Sequence, residues 1–174
     1  MPASATNYSG TTGATGCTNL NEADNRDHYF HYADLTQAMQ DATYWARVNN
    51  VNPTDVNTHY DSTLDNLTDV VVRDRYYVDY CGYDWWQAGA GGVVGLATCD
   101  RLNSNRECEQ HTVRYSNGFV DSTSQANERG LACHEVGHSL GLAHRTATSC
   151  MQTGYPKPAN DYSAHDRDHL NANY

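Results

Sequence analysis

The sequence predicts an α+β domain, and three observations carry that prediction. Short β-branched and aromatic runs occupy the first two thirds of the chain, an amphipathic helical stripe interrupts them, and a long helical stretch follows the last run and stops at a glycine. The 174 residues are one domain's worth and enough to bury a core.

Asp27-His28-Tyr29-Phe30-His31-Tyr32 alternates weakly and reads as a first strand. Leu35, Ala38, Ala42, Trp45 and Val48 recur at helical spacing, so residues 35–49 are expected to be helical, capped by Asp34 and ended before Pro53. Asp69-Val70-Val71-Val72-Arg73 is a compact β-branched run that suits a central strand. An aromatic loop, Tyr80-Cys81-Gly82-Tyr83-Asp84-Trp85-Trp86, and a glycine-rich stretch, 89–92, lead to a second strand over 93–98. Residues 99–108 bracket a polar turn, and His111-Thr112-Val113-Arg114-Tyr115 is a third strand, stopped by Asn117-Gly118. A helix is expected from about 122–124 to Leu140, with Gly141 ending it. Ser163 and Asp166 have the spacing of a capping box for a short last helix.

Composition narrows the function. The formal net charge of -10 argues against a nucleic-acid partner, and no run approaches the length of a membrane span. Residues 1–18 are polar and small and read as the flexible start of a mature chain, any export segment having been removed. The six cysteines stand at 17, 81, 99, 108, 133 and 150 with no Cys-x-x-Cys pair. Three disulfides in an oxidising, extracellular setting fit this better than a thiolate metal cluster or a redox motif.

The chemistry concentrates in His134-Glu135-Val136-Gly137-His138-Ser139-Leu140-Gly141-Leu142-Ala143-His144. On a helix, His134 and His138 lie one turn apart on one face, where both can reach a single cation at about 2.0–2.1 Å. Glu135 is about 100° further round the helix, flanking the metal as a base for an attacking water. Gly141 lets the chain double back cheaply, so His144 can supply a third ligand. Three protein ligands leave a position open, the catalytic arrangement and not the closed structural one.

This stretch resembles the metzincin clan of zinc peptidases. The clan's methionine turn corresponds to Ser149-Cys150-Met151-Gln152, and Tyr155 matches the matrixin branch's specificity-pocket tyrosine four residues after the methionine. Gly91-Gly92-Val93-Val94-Gly95-Leu96-Ala97 is similar to the matrixin edge strand above the cleft, which makes Leu96 and Ala97 substrate-binding candidates alongside Tyr155. Residues 35–48 resemble the clan's first helix. The resemblance implies a twisted, mostly parallel sheet with two long helices. It also implies an upper subdomain over about 20–141 and a small lower one over about 142–174, below the cleft. It implies one catalytic zinc and a peptide substrate, and a small secreted bacterial member of the clan would suit the composition. Three features depart from the matrixin pattern: Thr153 replaces a proline, the Pro-Arg-Cys-Gly latency switch is absent, and the structural-zinc loop is not recognisable.

Among fifteen disulfide connectivities, Cys99–Cys108 is favoured by its short polar turn. Cys133–Cys150 would tie the motif helix to the methionine turn, and elimination leaves Cys17–Cys81. His165 and His169 repeat the four-residue spacing and read as a solvated helix face, with a second metal site as the alternative. His28, His31, His59 and His111 are expected on surfaces. Trp85 and Trp86 either rim the cleft or pack on the sheet. No Asp-x-Asp-x-Asp-Gly loop indicates calcium. A monomeric zinc endopeptidase is the expected activity. A non-catalytic zinc module, which has no use for Glu135, and a zinc hydrolase of non-peptide amides are the rivals.

Overall fold

The computed structural model describes residue 8 and residues 14–17, 21–85 and 93–174. The glycine-rich stretch 89–92, Trp86 and most of the polar N-terminus lie outside these.

Five strands form one sheet in the order β2-β1-β3-β7-β6. β1 (Asp27–Tyr32), β2 (Asn57–Asp61), β3 (Val70–Arg75) and β7 (Cys108–Ser116) run parallel, while β6 (Gly95–Leu102) is antiparallel to β7 at the edge. β4 (Asp79–Tyr80) and β5 (Tyr83–Asp84) make a small hairpin within the aromatic loop. β3 is central, and Val70, Val71 and Val72 are all buried, as a strand covered on both faces requires. The edge strand β2 has no counterpart in the sequence reading, because Asn57-Thr58-His59-Tyr60-Asp61 buries no side chain and carries no apolar alternation.

α1 (Gln37–Ala46) and α3 (Gln125–Ser139) pack on the sheet and on each other. Two expectations for α1 are corrected. Its cap is Thr36, whose side chain accepts from the Met39 N–H. Asp34 instead has a positive φ of 58° and pairs with Arg75 and Arg73. The buried stripe is Met39, Ala42, Thr43 and Ala46, leaving Ala38 and Val48 exposed. Thr43 was invisible as a core residue because its hydroxyl is satisfied only across the fold, by the Tyr115 hydroxyl at 3.1 Å. The helix continues as a π-helical turn over Arg47–Val51, closed by Asn52 N–H donating to the Arg47 carbonyl.

His28 and His111 also depart from expectation: both are buried, not surface residues. They share the inward register of their strands with Phe30 and with Val113 and Tyr115, so the alternation that buries those apolar groups buries the imidazoles too. Trp85 is packed in the core, with Tyr77 and Tyr80 against its ring. Asn117 and Gly118 do not simply end β7 but begin a short helical turn, α2 (Asn117–Val120).

Three disulfides join Cys17 to Cys81, Cys99 to Cys108 and Cys133 to Cys150. Beyond α3 the chain holds one further helix, α4 (Ala164–Asn173), with the capping box between Ser163 and Asp166 in place. Among the described residues, no helix is long and apolar enough to cross a membrane.

Candidate metal and active site

α3 starts at Ser124, whose hydroxyl accepts from the Asn127 N–H, and ends where Gly141 takes a φ of +85°. A side chain is disfavoured there twice over, by the left-handed backbone and by Tyr8, whose ring atoms would lie 3.0–3.1 Å from an added β-carbon. This reversal returns His144 to the helix face. The three Nε2 atoms then form a nearly equilateral triangle: 3.0 Å between His134 and His138, 3.1 Å between His134 and His144, and 3.2 Å between His138 and His144.

Each helical imidazole is held from behind. His134 Nδ1 donates to the Cys150 carbonyl and His138 Nδ1 to the Leu142 carbonyl, both at 2.7 Å. A carbonyl only accepts, so Nδ1 carries the proton and the Nε2 lone pairs face one another. Burial, the mutual proximity of the rings and Lys157 hold the imidazoles below their ordinary range, His138 down to about 3. They are therefore neutral near pH 7, as metal ligands must be. The donor set fits Zn²⁺: three neutral nitrogens, mutually within reach of one small cation, with orienting partners behind two of them. Among the described residues a second group, Cys99, Cys108 and His111, also clusters, but its sulfurs are bonded to each other.

Glu135 lies beside this triangle, buried against the β6 edge strand. Burial raises its carboxyl above the ordinary carboxylate range, while the positive charge of Lys157 and the Ala97 N–H pull it back. A cation on the imidazoles acts in the same direction as Lys157. The fit is close enough to dictate a residue: a β-carbon at Gly95 would stand 2.5 Å from Glu135 Oε1. Gly95 belongs to the edge-strand resemblance, yet its service to Glu135 was not legible without the fold.

Met151 is fully buried against α3, and its thioether occupies the space a β-carbon at Gly137 would need. The turn around it is bonded throughout. Ser149 Oγ accepts from the Met151 N–H at 3.1 Å and donates to Asp166 at 2.5 Å, and Arg145 reaches the same carboxylate. Beyond the turn, Tyr155 is half-buried, edge-on to Phe119, with its hydroxyl 3.3 Å from Thr123 Oγ1. Lys157, the one lysine of the chain, donates to the Gln152 carbonyl at 3.0 Å.

On β6, the Cys99 carbonyl accepts from Gly16 N–H outside the sheet, and the Ala97 N–H serves Glu135. By strand alternation the outward backbone groups are those of Gly95, Ala97 and Cys99, while the Leu96 groups turn toward β7. Ala97 therefore presents its backbone on the outward side of β6 and Leu96 on the side of β7.

Three convergent imidazoles, a buried carboxylate beside them and a sheet edge alongside are the arrangement of a zinc metallopeptidase. Residues 24–174 match the Matrixin family, and the chain belongs to this family of zinc metalloendopeptidases. No curated protein is significantly similar to it. Among solved structures, archaemetzincin from Archaeoglobus fulgidus, complexed with malonate, is 13% identical with a TM-score of 0.47, covering 82% of this chain and 98% of its own. Two structures of myroilysin are 15% and 17% identical, with TM-scores of 0.44 and 0.42. They cover 71% and 73% of this chain, which spans 46% of the myroilysin chain in each.

Proposed function

We propose that the chain is a secreted, monomeric endopeptidase that cuts internal peptide bonds of proteins, with His134, His138 and His144 holding one zinc and Glu135 as general base. The observation that carries this reading is the Nε2 triangle with a buried carboxylate at its side. A zinc ion bound there supplies Lewis acidity toward the peptide carbonyl and brings the pKa of a ligated water to about 7.

The protein's own groups do the rest. Glu135, fixed by the Ala97 N–H and by contact with Gly95, accepts a proton from the attacking water and returns it to the leaving amine. An extended substrate adds to the edge of β6 through the backbone groups of Gly95 and the Ala97 carbonyl, the Ala97 N–H being held by Glu135, which explains cleavage within chains: main-chain pairing accepts any extended segment. Tyr155 lines the pocket beside the metal, its ring toward an apolar side chain. In this reading the lower subdomain, from about residue 142 onward, closes the cleft from below. Three disulfides and an acidic, lysine-poor composition support an extracellular setting.

The test is hydrolysis of casein and of a quenched peptide library. Cleavage at internal bonds, abolished by a chelator and restored by zinc, is the expected outcome. Zinc-loaded protein that cleaves neither substrate would return the choice to a binding module or a hydrolase of other amides.

A further inference from the structure

The pair His165 and His169 repeats on α4 not only the spacing of His134 and His138 but their geometry. The α4 rings have Nε2 atoms 3.1 Å apart, centroids 4.5 Å apart and planes at 83°. The corresponding values on α3 are 3.0 Å, 4.5 Å and 79°. Two bonds of about 2.0–2.1 Å to a shared cation span that separation with an angle of about 100° between them, near the tetrahedral value.

We propose that His165 and His169 bind a second divalent transition-metal ion on the C-terminal helix, apart from the catalytic centre. Both side chains are half-buried, so their rotamers are restrained. The plane of His169 is further fixed by Tyr8, whose ring stacks on it at 5.9 Å and 15°. Nitrogen donors select zinc, copper or nickel over calcium and magnesium, and the net charge of -10 favours a cation. Two histidines among the described residues, instead of three, make this the weaker site.

The ion has a structural consequence. Tyr8 pairs through its backbone with Leu142 and covers Gly141. Cross-linking the rings of α4 beneath Tyr8 therefore stiffens the contact that holds the turn between His138 and His144. The assignment does not depend on the peptidase reading.

The experiment is a zinc titration of the zinc-loaded protein by calorimetry, with the melting temperature followed in parallel. The wild type is expected to take up a second equivalent and to melt higher as zinc is added. The His165→Gln/His169→Gln variant is expected to keep its first zinc by elemental analysis and to lose both the second equivalent and the metal-dependent rise. A wild type that binds no second equivalent, or a double variant that still binds it, overturns the proposal and leaves an imidazole–imidazole hydrogen bond on a helix.

Discussion

Glu135 illustrates how a single side chain depends on an absence elsewhere. Its carboxylate lies where a β-carbon of residue 95 would be. Gly95→Ala should therefore displace the base while sparing the three imidazoles. A shift of about 1 Å costs roughly a hundredfold in rate, so the variant is expected to retain zinc and lose about that much activity against a quenched peptide. Unchanged turnover would show that the carboxylate has room to move. The histidines and Glu135 could be read from the sequence because spacing on one helix determines their relation. Gly95 and Gly137 could not be assigned these roles, because their partners, Glu135 and Met151, are 40 and 14 positions away and meet them only in the fold. His28 and His111 were misplaced for a related reason: a polar residue on an inward register looks like a surface residue until its neighbours are known.

At the scale of elements, α4 is more than a terminal helix. Its capping-box partner Asp166 is fully buried and binds Ser149 and Arg145, and Ser149 precedes the carbonyl of Cys150 that orients His134. A helix cap and a metal-ligand support are thus one carboxylate. Asp166→Ala removes the N3 half of the capping box and leaves Arg145 with Ser163 as its partner, a loss of about 3 kcal/mol by analogy with other broken buried pairs. Weakened orientation of His134 should also lower zinc affinity by roughly 10- to 100-fold. Urea melts and competition with a zinc-binding dye measure the two effects. A variant of wild-type stability and affinity would show that the network is incidental. The capping box was legible from Ser163 and Asp166. Its link to the methionine turn was not, since nothing in the spacing joins residues 149 and 166. The β3 run and both long helices were legible from composition and period, whereas β2, polar along its length, is defined by pairing with β1 alone.

For the whole molecule, the buried histidines make stability depend on pH. In the folded chain His28 is pushed down to about 3, by burial and then by His111, and His111 to about 4 by burial. The unfolded chain binds protons at the ordinary histidine value of about 6.5. Stability from these groups is therefore complete above that value and falls with acidification toward the folded-state values, by about 1.4 kcal/mol per unit and per histidine. His28→Leu should lose about 2 kcal/mol less than the wild type between pH 6.5 and 5. Denaturant melts at the two pH values measure this, and parallel losses would contradict it. The central claim, that one helix and its returning loop hold a zinc beside a general base, is tested most directly by Glu135→Gln. The variant is expected to retain one zinc per chain by elemental analysis, while cleavage of a quenched peptide falls by about 10² to 10⁴. A zinc-loaded variant that cleaves at the wild-type rate would contradict it.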